Sequence, residues 1–423
     1  AGIATIEEIR EALLDFKESE KFIVCYSDNY TQTAYYLGSV ADKVYMNPTG
    51  RLYMTGLQSQ VMFFKEALDK LGVEPQIVRY GKFKSAIEPF TKNEMSPENR
   101  EQINTYMNSL WDHMAKGISE AREIDVETIN ELTNNLTHRK PEEAVKHGLL
   151  DSLKYKDEIL KELKDKSEID KKDVRFVSLP KYTKTPKIKD YKGLAKDKIA
   201  VIYAMGSVVM GEGEEGTIGS DRISRAIRKA RKDSSVKGIV FRVNSGGGSA
   251  LASDVIWREA KLAAKEKPFI ASLGDVAASG GYYIVAPADT IMASPNTITG
   301  SIGVFGLFFN SKELLNEKLG IHVDVAKTHK FADLGSPFRA MRSEERQIIK
   351  DEIVQTYETF VNHVAEGRDM SPEKVDEIGQ GRVWSGVDAK RIGLIDLYGG
   401  LEEAVALAAE KSWSRKIQNN WIT

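Results

Sequence analysis

The chain contains one cysteine, Cys25, which excludes an intrachain disulfide and any metal site built from several cysteines. A lone cysteine of this kind is most often a small apolar core residue. No run of about 18 apolar residues occurs, so the sequence offers no bilayer-spanning helix. An excess of one charge is also missing. Lys and Arg number 60 against 62 Asp and Glu, a formal net charge of −2, which implies neither a nucleic acid nor a strongly acidic partner. Among the 6 histidines no His-Glu-x-x-His spacing occurs, and no other motif calls for a metal or cofactor. There is no Gly-x-x-x-x-Gly-Lys-Ser/Thr loop and no Gly-x-Gly-x-x-Gly opening a helix with an acid beyond it, so nucleotide binding is disfavoured.

What is present is a soluble globular composition, 41% hydrophobic and 29% charged, over 423 residues. That length exceeds the size at which one core usually stops growing, so two domains are expected. The sequence is also internally duplicated. Phe22-Ile23, Asp28, Tyr35-Tyr36, Ala41-Asp42, Pro48 and Gly56 recur 247 positions later, from Phe269-Ile270 to Gly303. After a one-residue insertion, Leu71-Gly72, Phe83 and Pro89-Phe90 recur at Leu319-Gly320, Phe331 and Pro337-Phe338. Gly148-Leu149-Leu150-Asp151 returns as Gly393-Leu394-Ile395-Asp396. So many ordered matches mark a tandem repeat, which sets the domain plan before any element is assigned.

The plan has an N-terminal repeat over residues 1–163, a Lys- and Asp-rich linker over 164–196 carrying Pro180 and Pro186, and a C-terminal repeat over 197–423. In the last of these, apolar runs at Ile199 to Tyr203, Gly238 to Val243 and Phe269 to Leu273 predict buried strands. Helical spacing predicts helices over Ser220 to Arg231 and Ser253 to Lys265. Strands alternating with helices give an α/β fold with parallel layers. Ala1-Gly2 aligns with Gly248-Ser249, so the first repeat lacks counterparts of the opening strands and is truncated at its N-terminus. The expectation is a native polypeptide that continues upstream, where a membrane anchor has room.

Two glycine-rich segments follow predicted strands: Asn244 to Ser249, and Gly274 to Gly281 around Ser279. Glycine lets backbone N–H groups approach a ligand closely, as an oxyanion hole requires. Small neighbours expose the Ser279 hydroxyl at a tight turn, with Tyr282 to Val285 predicted to continue as a helix. Isolated Gly-Gly pairs are more often plain turns. A nucleophilic serine needs a base. Most histidines lie in charged surroundings, such as His138 and His147, and only His329 is a candidate. The other route is a neutral lysine, its amine's pKa lowered from about 10.4 by burial. Lys84, among Phe83, Ala86, Ile87 and Phe90, has apolar company, although such a lysine is more often a surface residue lying along apolar neighbours.

At these residues the sequence resembles the signal peptide peptidase A family, also called protease IV, a Ser/Lys-dyad peptidase family related in fold to Clp protease and crotonases. The resemblance rests on Gly274 to Gly281 with Tyr282-Tyr283, on Thr299 to Gly306, and on Lys84 to Phe90. It implies tandem crotonase-like β/α domains, Ser279 as nucleophile, Lys84 as base and Ser301 orienting the lysine amine. It also implies an oxyanion hole from the backbone N–H groups of Gly280 and of the Gly247-Gly248 pair, with Gly248 preferred. Where the family usually has Ser-Pro-Gly-Gly-Ser, this chain has Ser245-Gly246-Gly247-Gly248-Ser249, which frees one φ angle. The implied substrates are short apolar peptides such as cleaved signal peptides, hydrolysed through an acyl-enzyme without a cofactor. The implied partners are further copies of the chain, commonly four, and a membrane whose extracytoplasmic side carries the catalytic domains.

The repeat adds its own argument. Gln32 stands at the position equivalent to Ser279, and Ala332 at the one equivalent to Lys84. Each half has lost one member of the pair, so the site is expected to need both halves. Two rival readings remain open: a crotonase-like binder of acyl thioesters, which leaves Lys84 and Ser301 without a role, and an inactive scaffold, against which intact Ser279 and Lys84 count.

Overall fold

The computed structural model describes residues 2–167, 174–185 and 197–419, with the side chains of 413–419 outside the description. It forms two compact units. The first comprises Ile3–Leu57 with the described residues of Trp111–Asp197. The second comprises Gln58–Leu110 with the described residues of Lys198–Thr423. These units do not follow the two sequence repeats, because 58–110 clusters with the second half. The reason is strand pairing: Glu74–Tyr80 runs antiparallel to Val304–Asn310 over seven residue pairs, from Val304 opposite Tyr80 to Asn310 opposite Glu74. Val78 from this ribbon packs with Ile349 and Ile353. Of the expected 164–196 linker, 168–173 and 186–196 lie outside the described residues, and Leu179–Tyr182 forms one helical turn.

The second unit is built on a seven-stranded sheet. Lys198–Met205, Val236–Ser245 and Phe269–Ala278 lie side by side and parallel. Their apolar runs fit a sheet covered on both faces, where strands read as continuous hydrophobic stretches. Alternation sends Ile239, Phe241 and Val243 into the larger core and Val240 into the smaller one. Burial of each such large side chain contributes on the order of 1.5–3 kcal/mol. Helix Ala250–Glu266 packs Ile256, Trp257 and Ala260 into the larger core, and Leu401–Asn419 packs Ala404 and Ala408 into the smaller. Ser249 starts the first of these helices by accepting a hydrogen bond from Ala252 N–H at 3.3 Å.

Strand Phe269–Ala278 is longer than its apolar run. Its first half pairs with Thr290–Ala293 and its second half with Ile298–Gly300, and both ladders are parallel. The chain thus stays extended through Gly274 up to Ser279. The helix expected over Tyr282 to Val285 is instead one turn, Gly280–Tyr283.

The first unit has a three-stranded parallel sheet, in the order Val24–Ser27, Lys43–Met46 and Ser152–Leu153, around a core that includes Tyr35, Met46, Met114 and Ile118. Equivalent bonds in the two units bear out the duplication. Tyr35 Oη donates to Leu149 O and Tyr282 Oη to Leu394 O, both at 2.7 Å. Asp151 accepts from Val44 N–H and Asp396 from Ile291 N–H, and Arg122 and Arg368 bind those carboxylates. A Tyr–carboxylate–His cluster also occurs twice, as Tyr36, Glu7 and His113 and as Tyr283, Asp254 and His363. It is present also in the unit that has Gln32 at the position equivalent to Ser279. Among the described residues no helix is long and apolar enough to cross a membrane.

Candidate active site

Ser279 ends the strand Phe269–Ala278 with φ 55° and ψ −124°, a conformation few non-glycine residues adopt. Such strain costs about 1–3 kcal/mol and persists only where the surroundings enforce it. Here Ser279 N–H donates to Gly300 O at 2.9 Å, while Ser279 O accepts from Tyr282 N–H and Tyr283 N–H at 3.0 and 2.9 Å. The clamped turn leaves the hydroxyl at the edge of a cleft of about 240 Å³.

Lys84 comes from the segment that follows strand Glu74–Tyr80, and is itself 4% exposed. Its Nζ lies 3.0 Å from Ser279 Oγ, 3.0 Å from Ser301 Oγ and 3.0 Å from Ser301 O. Burial, which penalises the charged amine, lowers its pKa from the ordinary lysine value to about 8. Of the expected apolar neighbours, Phe83 and Ile87 are buried and Ala86 is exposed. Ser301 has φ 50°, and its N–H donates to Arg382 O at 2.7 Å, which fixes the hydroxyl beside the amine. His329 is exposed, and its Nδ1 pairs with Thr328 Oγ1 at 2.9 Å rather than with Ser279.

Two backbone N–H groups beside Ser279 have no acceptor among the described residues, those of Gly248 and Gly280. They are neighbours, since a Cβ on Gly280 would sit 3.1 Å from Gly248 N, and also 2.6 Å from Ser253 Oγ. Gly247 is different. Its N–H donates to Ser245 Oγ at 3.0 Å, and its φ of 101° with Gly280 N 2.6 Å from a would-be Cβ requires glycine. Gly280 is buried and Gly248 is exposed, so the two N–H groups meet at the boundary between core and cleft, where a buried donor without an acceptor is rare.

Gly246, where the family usually has proline, has an ordinary φ, open space around its Cβ position and no acceptor for its N–H among the described residues. A side chain there meets no neighbour and loss of the N–H breaks no bond, so proline is expected to be accommodated. Gly246→Pro is expected to raise stability by roughly 0.4–1 kcal/mol through the unfolded chain and to leave kcat unchanged or higher. Thermal melting and peptide hydrolysis measured on the same sample check it, and a loss of stability would show that the loop needs the freedom of glycine.

The sequence reading missed the loop Gly379 to Arg382. Gln380 O accepts from Phe83 N–H at 2.9 Å, Gly381 N–H donates to Ile302 O at 2.7 Å, and a Cβ on Gly381 would lie 2.6 Å from Lys84 Cβ. The loop packs against Lys84 and against the segment that follows Ser301. Gly379 and Gly381 were its only signal.

The model of peptidase family S49 matches residues 15–170 and 261–415, one region in each repeat. The chain belongs to peptidase family S49. Protease 4 of Haemophilus influenzae is 36% identical over 424 residues, covering 97% of this chain and 68% of that protein. The chloroplastic serine protease SPPA of Arabidopsis thaliana is 36% identical over 417 residues, covering 97% of this chain and 61% of that protein. A ClpP1 chain from Listeria monocytogenes matches at 15% identity with a TM-score of 0.32, over 48% of this chain and 94% of that one. This S49 chain is a serine peptidase, as its sequence led us to expect.

Proposed function

We propose that this peptidase works through a Ser/Lys dyad, with Ser279 as nucleophile, Lys84 as general base and Ser301 as the group that orients the amine. The observation that carries the reading is the buried Lys84 Nζ at 3.0 Å from Ser279 Oγ. In the neutral amine, two N–H groups donate to Ser301 O and Ser301 Oγ, and the lone pair accepts the Ser279 hydroxyl proton. Ser279 Oγ then bonds to the scissile carbonyl carbon, and the oxyanion accepts from Gly248 N–H and Gly280 N–H. Lys84 passes its proton to the departing amine as the C–N bond breaks, leaving an acyl-enzyme. A water molecule then gives a proton to Lys84 as its oxygen bonds to the acyl carbon, and Lys84 returns that proton to Ser279 Oγ as the ester C–O bond breaks and the acid leaves.

Short apolar peptides, such as remnants of signal peptides, are the proposed substrates. Val304, Phe305, Tyr283 and Phe360 line the cleft and favour apolar side chains. Assembly into a homo-oligomer of four and membrane association on the extracytoplasmic side rest on the family resemblance. The exposed series Leu319, Ile321, Val323 and Val325 is apolar surface of the kind that contacts between copies bury.

A fluorophosphonate probe tests the nucleophile. Peptide mapping is expected to find the label on Ser279 and to lose it in Ser279→Ala. A label on another serine, or none on active protein, would reject the assignment.

A further inference from the structure

Gln102 lies on the helix Pro97–Arg122, far along the chain from Ser279, and is only 2% exposed. A buried side-chain amide has two donors and an acceptor to satisfy, and leaving one unpaired costs about 1–3 kcal/mol. Two of its four partners belong to the residues flanking Lys84, and a third, Val383, lies opposite Gly300. Its Nε2 donates to Phe83 O at 3.1 Å and to Ser85 Oγ at 2.8 Å, the residues immediately before and after Lys84. Its Oε1 accepts from Val383 N–H at 3.2 Å. Val383 begins the strand that pairs with Ile298–Gly300, directly before Ser301, and Arg382 O accepts from Ser301 N–H. Nε2 also lies 3.1 Å from Asn99 Oδ1, so its two hydrogens are shared among three acceptors, and Asn99 Nδ2 donates to the buried Glu88 carboxylate at 3.0 Å. Ser96 Oγ and N–H donate to the same carboxylate, at 2.5 and 3.1 Å.

We infer that Gln102 is a positioning residue for the peptidase reaction: it ties the Phe83 carbonyl and the Ser85 hydroxyl, on either side of Lys84, to the strand paired with the one that leads into Ser301, and so sets the distance between base and nucleophile. The inference rests on the reading of Lys84 as the base. A lysine stem has four rotatable bonds, so an amine held by its own packing alone would wander by more than the roughly 0.5 Å that catalysis tolerates. Gly303 and Gly381 pack against the stem. Gly381 also packs on Lys84 N and Cα, and the adjoining Gln380 O accepts from Phe83 N–H. Gln102 adds a tie at each neighbouring residue, to the Phe83 carbonyl and the Ser85 hydroxyl, and a neutral amide does so without adding a charge that would favour the protonated lysine.

The test compares Gln102→Met, which keeps length and volume but no polar atom, and Gln102→Asn, which keeps the amide but falls one carbon short. Each is measured beside the parent and Lys84→Ala, with rates divided by the number of fluorophosphonate-labelled sites so that unfolded protein does not count. In both Gln102 variants kcat per labelled site is expected to fall about tenfold, with KM within about twofold. The alkaline-rising limb of the pH profile is expected to move up by at least about half a unit, as water reaches a loosened amine. A role limited to stability would lower the number of labelled sites and the melting temperature while moving neither kcat per site nor the limb. If Gln102→Met does not fold, Gln102→Asn carries the comparison alone. Unchanged kcat per site and an unmoved limb, with Lys84→Ala inactive, would overturn the positioning role. Activity retained in Lys84→Ala would overturn the base assignment itself, and this inference with it.

Discussion

Ser279→Ala and Lys84→Ala are each expected to lower kcat/KM by roughly 10,000-fold or more while leaving the fold in place, because members of such a pair act as a unit. The residual activity would come from the cleft and the Gly248 and Gly280 N–H groups, which neither change touches. In the parent, kcat/KM should rise from neutral toward alkaline pH with its midpoint near the Lys84 pKa of about 8. The direction follows from the chemistry: the base works only as the neutral amine, and burial lowers the pH at which that form appears. At pH 7 a lysine with its ordinary pKa of about 10.4 is neutral in only about one molecule in 2,500. With a pKa of about 8 the neutral fraction is about one in ten.

The same burial makes the charged amine a liability to the folded state. Lys84→Met is therefore expected to be inactive but no less stable than the parent at neutral pH. Peptide hydrolysis across pH 6–10, with melting curves for each variant, checks all three statements. Activity of Lys84→Ala within a few-fold of the parent would remove the lysine from the mechanism. A limb that followed an imidazole-like pKa and vanished in His329→Ala would do the same.

Much of this arrangement was legible in the sequence, for reasons particular to each element. The runs at Ile199, Gly238 and Phe269 read as strands because a sheet covered on both faces needs apolar residues at every position. The part of the third strand from Gly274 to Ala278 did not, since glycine and alanine there match the composition of a loop. What keeps it extended is pairing with Ile298–Gly300. Ser279 stood out through its small neighbours, and Lys84 through its apolar neighbours and the family resemblance. Gln102 gave no local signal at all, because its role exists only through partners distant in the chain. The partner of Glu74–Tyr80 was hidden for a related reason: periodicity tells which face of an element is buried, not against which strand. The repeat suggested that 1–163 would cluster together, whereas seven pairs with Val304–Asn310 bind 58–110 to the second half.

That pairing predicts how the two halves behave once the chain between them is cut. A protease site placed within 174–185, where Phe176, Val177, Leu179 and Tyr182 are exposed, allows the folded protein to be cut between its repeats. After the cut, hydrolysis of a fluorogenic peptide is expected to stay within about twofold of the intact protein, because Glu74–Tyr80 remains paired with Val304–Asn310 through backbone hydrogen bonds and the shared cluster of Val78, Ile349 and Ile353. Fragment 197–423, separated in denaturant and refolded alone, is expected to be inactive by at least about 1,000-fold. It retains Ser279, Ser301 and both unpaired N–H groups but has no base, since Ala332 at the repeat-equivalent position is exposed and carries no titratable group. It also loses the partner of a seven-residue strand, which leaves an unpaired edge and lowers its stability. Refolding the two fragments together is expected to restore activity, and refolding with a first fragment carrying Lys84→Ala is not. Full activity from 197–423 alone would place the base elsewhere in the second half. Loss of activity on cutting, with both fragments still associated, would mean that the strand pairing does not suffice to hold Lys84 within reach of Ser279.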